Sequence, residues 1–137
     1  MNKSIRIGGA SGFWGDSYRA TEQLIQDTTL DFIVYDYLAE ITMSIMARAR
    51  AKSPSAGYAT DFIDAVIKPY IKRISTHNTR LISNAGGVNP EKCAEVISEL
   101  VKDLQLNLNV SCITGDDLMS SAQEIKNMNC KEMFSDI

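Results

Sequence analysis

The sequence predicts an α/β domain, a small, mainly parallel sheet in a three-layer, Rossmann-like arrangement. Three observations predict it. Short apolar runs alternate with longer amphipathic ones, which is the pattern of βαβ units. Polar, glycine-bearing segments follow most of the short runs. Right-handed crossovers carry every strand-to-helix loop to the same sheet edge, so those segments converge where ligands bind in open α/β folds.

The elements follow in chain order. Ser4 to Ile7 reads as a first short strand, and Tyr18 to Gln26 as a short helix. Leu30 to Tyr35 is rich in β-branched and aromatic residues and reads as a second strand. Leu38 to Ala51 places Leu38, Ile41, Ile45 and Met46 at helical spacing, and Arg48, Arg50 and Lys52 suit its carboxyl end. Ser53 to Gly57 stops it. A long helix capped by Thr60 carries Phe62, Ile63, Val66, Ile67, Tyr70, Ile71 and Ile74 on one face; Pro69 kinks or restarts it. Arg80 to Ser83 is a third strand. Asn89 then stands as N-cap with Pro90 at the first helical position, ahead of the stripe Ala94, Val96, Ile97, Leu100, Val101 and Leu104. Leu108 to Thr114 reads as a fourth strand with Cys112 in the core, and Asp116 or Asp117 caps a last helix to about Met128. The domain is placed at residues 1–128, with 129–137 a frayed or truncated tail.

The chain of 137 residues is long enough for a real core. A formal net charge of -3 carries no footprint for nucleic acid or an anionic membrane. No apolar run approaches the roughly 20 residues that span a bilayer. Three widely spaced cysteines without a C-x-x-C pair suggest reduced thiols, and with no leader pattern the expected location is cytoplasmic. No residue pattern names a cofactor or a resident metal.

Four loops carry the candidate chemistry. Gly9, Gly12 and Gly15 bracket Ser11, Phe13 and Trp14, so backbone can approach a ligand beside an aromatic wall, with Asp16 next to it. No lysine follows Gly15, so this is not a P-loop, and the spacing is not G-x-G-x-x-G. Asp36 and Glu40 stand one turn apart if a helix begins near Tyr37; paired carboxylates suit acid/base work or a divalent metal, and equally a cap and a dipole partner. Asn84, Gly86, Gly87 and Asn89 lead into a helix N-terminus and could offer amides to a carbonyl or phosphate oxygen. Gly115-Asp116-Asp117 is a weaker run of the same kind. His77, the only histidine, falls in a polar connection at the other sheet edge, which excludes Ser-His-Asp and Cys-His mechanisms within the chain.

Ile5 to Asp16, Asp36 to Met43, Gly57-Tyr58-Ala59, Ser83 to Pro90 and Gly115-Asp116-Asp117 resemble, in order, the segments of the AtuA-type proteins of acyclic terpene utilisation. That resemblance implies a place in bacterial breakdown of acyclic terpenoids and an enzyme-like domain for a small acidic or acyl-CoA-type metabolite, with hydratase-like chemistry one implication. Members are much longer, so the resemblance also implies an N-terminal part or a truncated relative, which could be inactive alone. Asp16, Asp36 and Glu40 are then the catalytic candidates. Gly9, Ser11, Gly12, Trp14, Gly15, Asn84, Gly86, Gly87, Asn89 and Asp116 are the ligand-binding ones. Two other classes stay open: a non-catalytic assembly domain that forms a homo-oligomer or packs on a downstream domain, and a nucleotide-binding module.

Overall fold

The structure, a computed structural model, describes residues 4–26, 29–131 and 133–134. Three strands, β1 (Ile7–Ser11), β2 (Phe32–Tyr35) and β3 (Arg80–Ser83), form a parallel sheet in the order β1-β2-β3. Around them lie α1 (Ala20–Leu24), α2 (Glu40–Lys52), a π-helical segment (Phe62–Ile67) running into α3 (Lys68–His77), and α4 (Pro90–Asp103). A 3-10 turn (Met119–Ser121) leads into α5 (Ala122–Asn127). The α/β class with a small parallel sheet is therefore as the sequence predicts.

The first strand begins where the expected one ends. Gly8 and Gly9 lie inside β1, not in a loop after it. The reason is close approach: a Cβ on Gly8 would stand 3.0 Å from Leu24 Cδ2 and 3.1 Å from Leu30 Cδ1. Glycine lets α1 settle onto the sheet there. A bulge at Ala10, between Gly9↔Val34 and Ser11↔Tyr35, then re-aims the end of β1.

The sheet has two unlike faces. Gly8, Ala10, Ile33, Tyr35 and Leu81 turn toward the core, where Ala10, Ile33 and Tyr35 pack with Phe62, Val66, Ile67 and Ile71. Ile7, Gly9, Phe32, Val34, Arg80 and Ile82 alternate onto the other face, and Ile7 and Ile82 are 63% and 53% exposed. Of the three layers expected, the described residues supply the sheet and the packing on one face.

Pro69 restarts its helix. The preceding turn widens to π geometry over Phe62–Ile67 and α geometry resumes at Lys68. The wide turn accommodates a proline that has no amide to donate and whose ring crowds the carbonyl before it. All of Phe62, Ile63, Val66 and Ile67 are buried as a result. His77 closes α3 as its last residue, ahead of a left-handed Asn78 (φ 56°), so the helix takes in residues expected as a loop.

The fourth strand does not form. Leu104 and Gln105 form a turn, Gln105 at φ 53°, and residues 106–110 carry no strand pairing; Leu104, Leu106, Leu108 and Val110 are half-buried between exposed Gln105, Asn107 and Asn109. That alternation reports packing of one side on the core, without a backbone ladder. Beyond it the described residues other than Ser121 are exposed, Ile113 at 92%. Cys112 is exposed, contrary to the core position expected, and Cys93 is the buried thiol. The last helix starts later than expected, with Asp117 Oδ1 accepting the Met119 amide (3.0 Å) ahead of it. Residues 132 and 135–137 of the expected tail lie outside the described residues.

Candidate functional site

The loops after β1 and β2 and the start of the π-helical segment meet around a shallow pocket at the carboxyl edge of the sheet. Its walls include Ser11, Asp16, Tyr18, Thr21, Tyr35, Tyr37 and Asp61. Each is placed by a local cause. The turn after β1 closes when Asp16 Oδ2 accepts the Gly12 amide (3.0 Å), and Gly15 takes a φ of +86° that a side chain would strain. Trp14 Nε1 donates to Asp61 Oδ1 (2.5 Å), which ties this turn to the π-helical segment. Thr21 on α1 shares a hydrogen bond with the Tyr35 hydroxyl (3.1 Å). Phe62 sits edge-on to both Tyr35 and Tyr37, with centroids 5.3 and 5.8 Å away.

The electrostatics are one-sided. Asp16 and Asp61 carry negative charge, and none of the lining residues is lysine, arginine or histidine. Burial, then the charge of Asp61, then Tyr35 and Tyr18 hold the Tyr37 phenol well above its usual range. Burial likewise pushes Tyr35 up to about 12, against the lowering effect of its Thr21 bond. Both phenols are protonated at neutral pH, Tyr35 bonded to Thr21 and Tyr37 within the field of the Asp61 carboxylate.

Asp36 stands on the other side of the sheet edge. Its Oδ1 accepts from Asn84 Nδ2 (2.8 Å), and Asn84 Oδ1 accepts the Tyr37 amide (2.7 Å). Ser11 Oγ donates to the Asp36 carbonyl (3.1 Å), which locks the ends of β1, β2 and β3 together. The helical turn expected to pair Asp36 with Glu40 is absent. Ala39 is extended, its amide donates to Thr42 Oγ1 (2.6 Å), and α2 starts at Glu40, which is exposed. Among the described residues no three of histidine, cysteine, aspartate and glutamate come together to hold a metal ion.

The second glycine loop is occupied by its own fold. Gly87 donates its amide to the Asn84 carbonyl (3.1 Å), and Val88 donates to the Gly57 carbonyl (2.9 Å). A Cβ on Gly86 would stand 2.8 Å from Pro90, and one on Gly87 only 2.2 Å from Met46 Sδ. Buried Asn89 holds the N-cap position of α4 without a side-chain cap bond; it donates to the carbonyls of Pro54 (2.9 Å) and Ala56 (2.8 Å) instead. Asn89→Ala is accordingly expected to cost about 2 kcal/mol, since it orphans two loop carbonyls, read as an earlier midpoint in urea with an unchanged slope. Gly9 and Gly15, in contrast, face open space, whereas Asp116 lies in an exposed run.

Sequence reasoning missed Tyr18, Thr21, Tyr35, Tyr37 and Asp61. Tyr35 ends the strand-forming run Leu30 to Tyr35, and Asp61 directly follows the helix cap expected at Thr60. The legible signal was Tyr35-Asp36-Tyr37 at a strand end, where alternation sends both rings to one side. With this geometry established, the family comparison is decisive. A family model described as acyclic terpene utilisation family protein AtuA matches residues 5–136, nearly the whole chain. The chain belongs to that family. No curated protein and no solved structure matches it. In this AtuA family chain, loops that carry the resemblance border a pocket whose lining includes the phenols of Tyr18, Tyr35 and Tyr37 and the carboxylates of Asp16 and Asp61. No described helix is long and apolar enough to cross a membrane.

Proposed function

We propose that this AtuA family domain binds the acyl-thioester end of an acyl-CoA-type metabolite in the Tyr37–Asp61 pocket and supports hydratase-like chemistry there. One observation carries the reading: protonated phenols beside carboxylates, with no cation among the lining residues. Such a lining favours an uncharged carbonyl over a free acid, whose carboxylate would meet Asp16 and Asp61. In this reading Tyr37 donates to the thioester oxygen and stabilises charge that develops on it. Asp61 accepts a proton from water as its oxygen bonds to the β-carbon of a conjugated acyl chain, and that proton returns to the α-carbon. Asp16 holds the glycine turn that walls the pocket and is the second acid/base candidate. Asp36 and Glu40 lie outside the pocket and take no proton in this scheme.

The test is a thermal-shift titration with an α,β-unsaturated acyl-CoA, the matching free acid, and CoA alone. The thioester is expected to raise the midpoint, by about 2.7 kcal/mol of stability at a hundredfold excess over Kd, and the free acid is not. Tyr37→Phe is expected to weaken thioester binding about tenfold, the worth of one hydrogen bond to a buried site. Equal shifts with thioester and free acid, or none with either, would overturn the proposal.

A further inference from the structure

Parallel sheets are covered on both faces in nearly all folds that contain them, yet among the described residues the face of Ile7, Phe32, Val34 and Ile82 is left open at its edges, with Ile7 and Ile82 exposed and Phe32 and Val34 half-buried. That face has a definite layout. At its amino end Ile7, Phe32 and Arg80 lie side by side in register, and Arg80 rests over the Phe32 ring at 5.7 Å. At its carboxyl end Gly9, Val34 and Ile82 form the next row. The alternation continues to Asp36 and Asn84, which are hydrogen-bonded to each other across the strand ends. A Cβ on Gly9 would meet nothing within 4 Å, so this row has a hollow on the β1 side.

We infer that this face is the interface of a homodimer: a second copy of the chain stacks on it about a two-fold axis lying perpendicular to the strands. That rotation reverses strand direction and leaves β1 facing β1. Ile7 of each copy then stands over the Gly9 hollow of the other, and Phe32 over Val34. Arg80 of each copy reaches the carboxyl edge of the other beside Asp36, so the two charges are paired twice. Apolar knobs, an empty hollow and opposite charges at opposite ends are thus self-complementary under one operation, which an isologous interface requires. With strands about 4.8 Å apart and about 3.3 Å per residue, the face is roughly 15 Å on a side. Such a patch is small for a permanent dimer, so the association is reversible and set by concentration. This inference does not depend on the ligand proposed for the pocket.

Sedimentation velocity of the whole 137-residue chain over a range from micromolar to millimolar tests it. The expected result is a monomer–dimer equilibrium with no larger species. Ile82→Lys, at an exposed position, is expected to weaken dimerisation at least tenfold with an unchanged circular dichroism spectrum and melting midpoint. Arg80→Glu and Asp36→Lys are each expected to weaken it, and the double variant to restore it, since the charges still meet as opposites. A monomer throughout the range overturns the inference, as does Ile82→Lys associating like the parent. Dimerisation indifferent to the single charge reversals overturns the two-fold geometry.

Discussion

Gly87→Ala is expected to destabilise the fold by about 3 kcal/mol, more than any other single methyl group added at a glycine of the described loops. Two independent effects add. The backbone at Gly87 has φ +56°, where an L-residue pays roughly 1 kcal/mol or more. The new Cβ would also lie 2.2 Å from Met46 Sδ and 2.7 Å from the Gly57 carbonyl. Met46 is 1% exposed, so its sulfur has little room to yield, and overpacking of this kind costs about 1–3 kcal/mol. Gly15→Ala provides the control. It shares the positive φ (+86°) but meets nothing within 4 Å, so about 1 kcal/mol is expected. Urea unfolding of both variants decides the matter. If Gly87→Ala loses no more than Gly15→Ala, the contact among α2, the loop after it and the loop after β3 is looser than described here.

That contrast also shows what the sequence could and could not reveal. All three runs of glycines look alike as text. Only packing separates Gly86 and Gly87, which let two loops and α2 close on each other, from Gly15, which faces a pocket. The parallel α/β class was legible because it rests on periodicity, and Arg80 to Ser83 was legible to the residue because apolar and polar positions flank it cleanly. The extent of β1 was not, since glycine reads as loop until the Leu24 and Leu30 side chains that need its bare backbone are seen. Leu108 to Thr114 failed for the opposite reason: half-burial alternates only through Val110, where packing on a core produces the same period as pairing, and residues 111–114 are exposed. The site was legible as a place, the carboxyl edge, and less so as chemistry. Asp36 and Glu40 attract notice as neighbours in sequence, whereas Tyr37 and Asp61 become neighbours only after a long helix and a loop intervene. Asn84 illustrates a middle case. It sits at the predicted edge, yet it binds Asp36 and the Tyr37 backbone, and so fixes the end of the sheet.

Alkaline pH is expected to unfold the chain well before its arginines or backbone are affected, and the cause lies in the same buried phenols. Burial raises Tyr35 from 10.0 to about 12 in the folded protein. The unfolded chain therefore releases that proton first. Stability is fully present below pH 10 and falls as the pH rises through the folded value, by about 3 kcal/mol for a shift of this size. Cys93 acts in the same direction over a lower window, since burial lifts its thiol from 9.0 to about 11. Tyr37 adds to the loss, its phenol being raised by burial and by Asp61. A small domain holds only 5–15 kcal/mol in all, so the sum is a large fraction of it. Urea midpoints measured from pH 7 to 12 are expected to stay level to about pH 9 and then drop steeply. Tyr35→Phe makes the cause visible. At neutral pH it loses the Thr21 hydrogen bond, worth about 1 kcal/mol, and is the less stable protein. At pH 12 it has no phenol to ionise and is expected to be the more stable one. The two curves should cross between pH 10 and 12; parallel curves would mean that Tyr35 titrates alike in the folded and unfolded chain, and that the pocket is wetter than its packing implies.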